Sequence, residues 1–260
     1  MDRNIQKSRQ NAIDIFQAGL AAVAPGAAIK KYVQRENEIL LVAGSEYDLS
    51  QYRQVFVVGA GKAGSSMAAA IEEILGDRIT QGIITVKYGH LEELSRVKIQ
   101  EAGHPVPDEN GYKGTKAIYD LARSADEKTL VICLISGGGS ALMPLPVADI
   151  TLEDKQMTTK VLLACGATIH EINAIRKHLS AIKGGGLARA VYPATIITLI
   201  LSDVVGDDLD SIASGPCVPD SMTFKDCQSI FTKYAIESEI PERVRHYIKR
   251  GLSGEVSETP

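Results

Sequence analysis

Short, nearly unbroken apolar runs at 55–58, 82–86, 129–135 and 195–201 alternate with segments whose apolar residues recur at helical spacing, at 62–75, 110–125, 151–165 and 168–178. A strand buried on both faces reads as such a run, and helices between successive strands cover both faces of a mostly parallel sheet. The pattern therefore predicts an α/β fold, a three-layer Rossmann-like sheet with helices on both faces. A shorter strand is expected at 39–42, and two closing helices at 226–234 and 241–250. Near the start, Ile5, Ile13, Phe16, Leu20 and Val23 keep helical spacing until Pro25-Gly26 breaks it, which predicts a helix packed on the sheet.

The segments at the C-terminal ends of these strands are chemically alike. The first run leads into Gly59-Ala60-Gly61-Lys62-Ala63-Gly64 and the second into Lys87-Tyr88-Gly89-His90. The third leads into Ser136-Gly137-Gly138-Gly139-Ser140, and the fourth into Ser202-Asp203-Val204-Val205-Gly206-Asp207-Asp208. Parallel strands deliver their C-terminal ends to one edge, where α/β proteins bind ligands. Glycines, hydroxyls, a lysine and carboxylates are thus expected on a single rim.

Gly59, Gly61 and Gly64 satisfy G-x-G-x-x-G between a strand and a helix, the arrangement that admits a phosphate to a helix N-terminus. A dinucleotide site would add a carboxylate at the end of the second strand for the ribose. Here that strand ends in Val86-Lys87-Tyr88, so only an NADP variant, with Lys87 on a 2′-phosphate, survives. The order G-x-x-x-x-G-K-[ST] is absent, and a tight turn alone is the other use for these glycines. Lys62 adds a positive charge where a helix dipole already disfavours one. In Ser136, Gly137, Gly138, Gly139 and Ser140, bare backbone N–H groups and two hydroxyls can form a nest for a carboxylate or phosphate. G-x-S-x-G is missing, and no partner histidine for Ser140 is identifiable.

Asp203, Asp207, Asp208 and Asp210 come soon after the fourth strand. Asp203 and Asp207 are the candidates for a hard cation such as Mg²⁺ or for accepting a hydroxyl proton, while Asp208 or Asp210 can cap a helix near Ser211. Arg176, Lys177 and Lys183 lead into Gly184-Gly185-Gly186, either a solvated helix end or the wall of an anion cleft. His104 sits in the rigid segment His104-Pro105-Val106-Pro107-Asp108, and neither His90 nor His178 has zinc-ligand spacing.

Composition narrows the partners. The 260 residues can build one large α/β domain or two small ones, and a net charge of −4 argues against general nucleic-acid binding. The four cysteines form no C-x-x-C pair, and no apolar run reaches the length of a membrane span or resembles a signal peptide. A cytoplasmic protein that binds a small molecule, with no nucleic acid and no membrane, is expected.

Taken in order, VVGAGKA (57–63), GIITVKYGH (82–90), AGHPVPDENG (102–111), LISGGGSAL (134–142), EINAIRKHLS (171–180), KGGGL (183–187), SDVVGDD (202–208) and ASGPCVP (213–219) resemble the glycerate 2-kinase family, the class II or MOFRL-type glycerate kinases. The resemblance runs from about Arg9 to the end. It implies ATP-dependent phosphorylation of D-glycerate at its 2-hydroxyl, with Mg²⁺. It also implies roles: Lys62 and its turn on transferring phosphate oxygens, the 136–140 loop with Lys183 and Gly184 on phosphate or carboxylate, and Asp203 with Asp207 on metal or hydroxyl. Family members carry a second, C-terminal MOFRL domain, and the chain from 1 to 260 matches the N-terminal, nucleotide-binding domain alone. A partner chain supplying that domain, or a homodimer, enters as an expectation, and activity of this half by itself is left open. Cys217 stands where the family more often has threonine. The alternatives are an NAD(P)-dependent hydroxypyruvate reductase and a non-catalytic nucleotide-binding half.

Overall fold

A computed structural model describes residues 3–202, Val204 and residues 206–260. After helices α1 (Arg3–Ala22) and α2 (Pro25–Tyr32), the strands β1 (Val33–Glu36), β2 (Ile39–Val42) and β3 (Ser45–Asp48) form a small antiparallel sheet. The main chain of elements then runs β4 (Gln54–Ala60), α3 (Gly64–Leu75), β5 (Gln81–Lys87), β6 (Val97–Ala102), α4 (Glu109–Arg123) and β7 (Thr129–Ser136). It continues through α5 (Gly139–Leu142), α6 (Leu152–Ala164), α7 (Ile169–His178), α8 (Gly186–Val191), β8 (Thr195–Leu201), α9 (Phe224–Lys233) and α10 (Glu242–Leu252).

The five-stranded sheet is parallel in the order β6-β5-β4-β7-β8. The chain starts in the middle at β4, winds out to β6, then returns to β7 and winds the other way. The reversal falls between β4 and β7, and a crevice opens outside the strand ends at such a switch point. Alternation along the two central strands divides their side chains between the sheet's faces. Val55 and Val57 with Leu130, Ile132 and Leu134 join α2, α3 and the small sheet in one core. Phe56, Val58 and Ala60 with Val131, Cys133 and Ile135 join α4, α5 and α8 in the other. Full burial of a large apolar side chain stabilises the fold by roughly 1.5–3 kcal/mol relative to exposure. The expected sheet with helices on both faces is present.

A third core, built from α6, α7, α9 and α10 around Phe224 and Phe231, lies apart from the sheet. Its helices begin where their sequence caps them. Thr151 Oγ1 accepts the Asp154 N–H at 3.1 Å while the Asp154 carboxylate accepts the Thr151 N–H at 3.0 Å, and Thr168 with Glu171 repeats the box. These boxes set the start of α6, and hence where Lys155 falls, and of α7, which carries Arg176 and Lys177 in its last turn.

One expectation is corrected. The first helix forms, but it packs on α2 and not on the sheet, and Ile5, Ile15, Phe16, Leu20 and Val23 remain more than half exposed. Periodicity identifies an apolar stripe without saying what covers it. Strands β1, β3 and β6 have no counterpart in the expected pattern. Among the described residues no single helix is long and apolar enough to cross a membrane, although α1 and α2 together pass that test as a bent pair.

Candidate active site at the switch point

The two glycine loops predicted from sequence meet across the switch point. β4 and β7 run in register, with Gly59 opposite Leu134 and Ala60 opposite Ile135. A Cβ on Gly59 would lie 2.0 Å from the Leu134 carbonyl oxygen, and one on Gly61 would lie 2.0 Å from Ser136 Oγ. Glycine is required here by close approach to the neighbouring strand. The turn's N–H groups are spent on the protein: Gly61 donates to Thr85 O at 3.1 Å, Lys62 to Gly137 O at 2.9 Å, Ala63 to Ser136 Oγ at 3.0 Å and Gly64 to Gly61 O at 3.1 Å. In a dinucleotide site, N–H groups at this turn face the pyrophosphate. Gly64 keeps the helix-packing role, its Cα facing Val86 Cγ1, which would sit 3.2 Å from an added Cβ. The packing function of the fingerprint is present, and these four donors are already occupied.

The SGGGS loop brings charge together. Gly138 has φ +87°, and an added Cβ would meet His104 Cδ2 at 2.9 Å, His104 Nε2 at 3.0 Å and Lys62 Cγ at 3.5 Å. Lys62 is exposed, so its ammonium reaches solvent beside the imidazole. Burial lowers the His104 pKa below its ordinary value, and the charges of Lys62, Lys87 and His90 push the same way. The ring is therefore held neutral, and the rim that contains it is basic.

Behind this rim, Ser140 Oγ shares a hydrogen bond with Ser214 Oγ at 2.9 Å, and Ser214 reaches Asn173 Oδ1 at 3.2 Å. Lys183 Nζ donates to Ser140 O at 2.6 Å and to Ser140 Oγ at 2.9 Å. Ser140 thus has lysine and serine neighbours and, among the described residues, no histidine partner. Lys183 is only 2% exposed, and burial followed by the charges of Lys155 and Arg176 holds its pKa well below the ordinary lysine value.

Lys155 is a site residue that the sequence does not reveal. It extends from α6, is buried, and donates to Leu179 O at 3.1 Å; burial and then Arg176 bring its pKa down to about 7. Nothing in its local sequence distinguishes it from a solvated helix lysine. A cavity of about 800 Å³ opens over these groups, lined among others by His104, Gly138, Ser140, Lys155, Arg176 and Lys183.

The remaining candidates fall into two groups. Gly184 lies away from the rim contacts, with an added Cβ 3.2 Å from Lys177 Cβ and 3.3 Å from Asp220 Cβ. Lys177 is buried in an ion-paired pocket, bonded to Asp210 and, at 3.2 Å, to Asp220, so it is no solvated helix end. That pairing takes Asp210 out of the metal candidates. Asp208 accepts from Ser211 Oγ at 2.7 Å and from the Asp210 N–H at 3.1 Å, a local cap. Asp207 is exposed, and Asp203 lies outside the described residues. Among the described residues no group of three His, Cys, Asp or Glu side chains is arranged to hold a metal.

A Rossmann-like α/β domain with a basic rim at its switch point is the class these features define. Residues 11–249 match the family described as "Domain of unknown function (DUF4147)", and the chain belongs to that family. It is 46% identical over 255 residues to the "Glycerate 2-kinase" of Pyrococcus horikoshii, covering 95% of this chain and 57% of that protein. A crystal structure of a protein from P. horikoshii OT3 matches with a TM-score of 0.90 at 45% identity, over 96% of this chain and 56% of that one. The "Putative hydroxypyruvate reductase" of Agrobacterium vitis is 48% identical over 204 residues, 78% of this chain and 45% of that protein. The chain spans about half the length of the curated relatives it matches.

Proposed function

We propose that this chain is the nucleotide-binding half of a glycerate 2-kinase, which transfers the terminal phosphoryl group of ATP to the 2-hydroxyl of D-glycerate. The observation that carries the reading is the convergence of Lys62, His104, the SGGGS loop and Lys183 on one sheet edge, next to the buried Lys155 and the half-buried Arg176. Phosphoryl transfer asks a protein mainly for positioning and for positive charge around developing negative charge. The name carried by the Pyrococcus relative supports the substrate and the donor.

In this reading the glycerate 2-hydroxyl attacks the γ-phosphorus, the bond to the ADP oxygen breaks, and Asp203 orients the hydroxyl and takes its proton. Lys62 meets the oxygens of the transferring group. Backbone of Gly138 and Gly139 and the hydroxyls of Ser136 and Ser140 shape the seat, although Ser136 Oγ already accepts the Ala63 N–H. A Mg²⁺ ion fits as one carried by the nucleotide, because such ions take one or two protein carboxylates together with phosphate oxygens. Asp207 and Asp203 would hold it, and it would neutralise phosphate charge. The second domain that completes the cleft would come from the part of the relatives' length that this chain does not span, in the same chain or in a partner. A cytoplasmic setting suits the four cysteines, all unpaired.

The reductase reading draws on the Agrobacterium relative's name and on the glycine fingerprint. It is weakened by the occupied N–H groups of that turn and by Lys87 in place of a ribose carboxylate. Protein incubated with D-glycerate, ATP and Mg²⁺ is expected to release ADP, alone or joined to the second domain. Oxidation of NAD(P)H with hydroxypyruvate, and no ADP release in either form, would reverse the assignment.

A further inference from the structure

Lys155, Arg176 and Lys183 converge beneath one cavity, and among the described residues none of the three makes an ion pair. Elsewhere the protein does pair its buried cation: Lys177, 1% exposed, has Asp210 and Asp220. A charge held away from water without a counter-charge is unfavourable by several kcal/mol. Lys155 and Lys183 are buried and Arg176 beside them is half-buried, and the three repel one another: burial lowers the pKa of Lys155 and of Lys183, and cationic neighbours lower both further. Folding alone gives no reason to gather them. An anion that enters the cavity does.

The cavity's size and walls identify the anion. About 800 Å³ is far more than a three-carbon acid fills, and lies in the range that receives cofactors and nucleotides. Val106, Met157 and Leu163 stand over its side, 64%, 49% and 62% exposed, an apolar ledge that nothing in the chain covers among the described residues. A polar floor of cations and an apolar ledge match a molecule with a polyanionic end and a flat, weakly polar end. Glu153 is the acidic side chain among the described residues of the lining.

We infer that this cavity is the nucleotide seat, with the phosphates of ADP or ATP on Lys155, Arg176 and Lys183 and the base on the Val106–Met157–Leu163 ledge, while the hydroxy acid lies outside it beside Lys62 and His104. The inference rests on the kinase reading for its nucleotide, and it moves the phosphates away from the G-x-G-x-x-G turn, whose N–H groups are already bonded. Gly138 joins the two compartments, since its bare backbone lies against both His104 and Lys62 and it lines the cavity.

Calorimetric titration of the chain with ADP, pyrophosphate and D-glycerate separates the possibilities. Arg176→Gln and Lys155→Met should each weaken ADP and pyrophosphate by about tenfold or more, the loss expected for one charge-assisted contact, with D-glycerate unaffected. Met157→Ser, a neutral change on the exposed ledge, should weaken ADP severalfold and leave pyrophosphate nearly unchanged. Thermal melting of each variant identifies any that fails to fold, and Met157→Ser, at an exposed position, carries the test if the substitutions beneath the cavity do not fold. Loss of D-glycerate binding with ADP intact would overturn the assignment and leave the kinase reading standing. Equal binding of ADP by wild type and every folded variant would also overturn it. Release of no ADP in the kinase assay, with ADP binding still lost in the variants, would instead overturn the kinase reading and keep the nucleotide seat.

Discussion

Gly61 and Ser136 occupy one another's space: the Ser136 hydroxyl sits 2.0 Å from where a Gly61 Cβ would be, and accepts the Ala63 N–H at 3.0 Å. The two glycine loops are thereby a single interlocked unit. Gly61→Ala is expected to destabilise the protein by several kcal/mol, on the order of 3, since φ is +146° and the Ser136 carbonyl oxygen would also lie 2.7 Å away. Ser136→Ala should cost only about 1 kcal/mol, the value of one hydrogen bond. Because backbone as well as side chain blocks the site, Ser136→Ala should not rescue Gly61→Ala. Urea unfolding of the two single variants and the double variant measures all three.

Lys62→Ala removes an exposed side chain, so melting temperature should hardly change. Turnover in the glycerate-dependent ADP assay should fall on the order of 10²-fold, as for other preorganised donors to developing charge. Undiminished turnover would take Lys62 out of the mechanism.

Lys177 and Asp220 are a buried pair, their side chains 1% and 0% exposed, and Asp220 also accepts from Thr259 Oγ1 at 3.0 Å. Asp220→Asn should destabilise by about 3–5 kcal/mol, because it leaves a buried ammonium short of a counter-charge. Adding Lys177→Met should recover part of that loss. A denaturant midpoint unchanged in Asp220→Asn would mean that Asp210 alone neutralises Lys177.

Lys155 releases its proton near pH 7 in the folded chain, against an ordinary value of 10.5. Between these two pH values the unfolded chain binds more protons than the folded one, so stability should rise with pH across that window and level off below about 7. Lys183 adds to the slope in the same direction. Each pH unit contributes up to about 1.4 kcal/mol per lysine. The slope should flatten in Lys155→Met, measured as urea stability from about pH 7 to about pH 10. A bound polyphosphate favours the charged forms, so ADP affinity should fall over the same range and binding near pH 8 should take up protons, seen as binding heats that vary with buffer ionisation enthalpy.

The central strands were legible because burial on both faces leaves them almost entirely apolar, as in β7, where every residue is buried. β6 was not, since Lys98, Gln100 and Glu101 on an edge strand read as loop. β1 and β3, with Gln34, Arg35, Glu46 and Asp48, were hidden for the same reason. The rim loops could be read because glycine runs after a strand have few other uses. Of the cations beneath the cavity, Arg176 and Lys183 stood out as a basic helix end running into glycines, but Lys155 did not, because its place is set by the α6 capping box while its burial comes from α7 and the loop beyond. Asp210 reads as a metal or capping residue in the sequence, and only the fold puts Lys177 behind it.

The pairing of Gly59 with Leu134 and Ala60 with Ile135 makes the middle of the sheet a ruler for the chemistry. Residues can be added to the outlying loops at 91–96 and 124–128 at little harm, whereas one residue gained or lost within 54–61 or 129–137 would turn the side chains beyond it to the opposite core and part Gly61 from Ser136. Natural variation in length should therefore collect at 91–96 and 124–128, and be nearly absent from the two central strands and their turns.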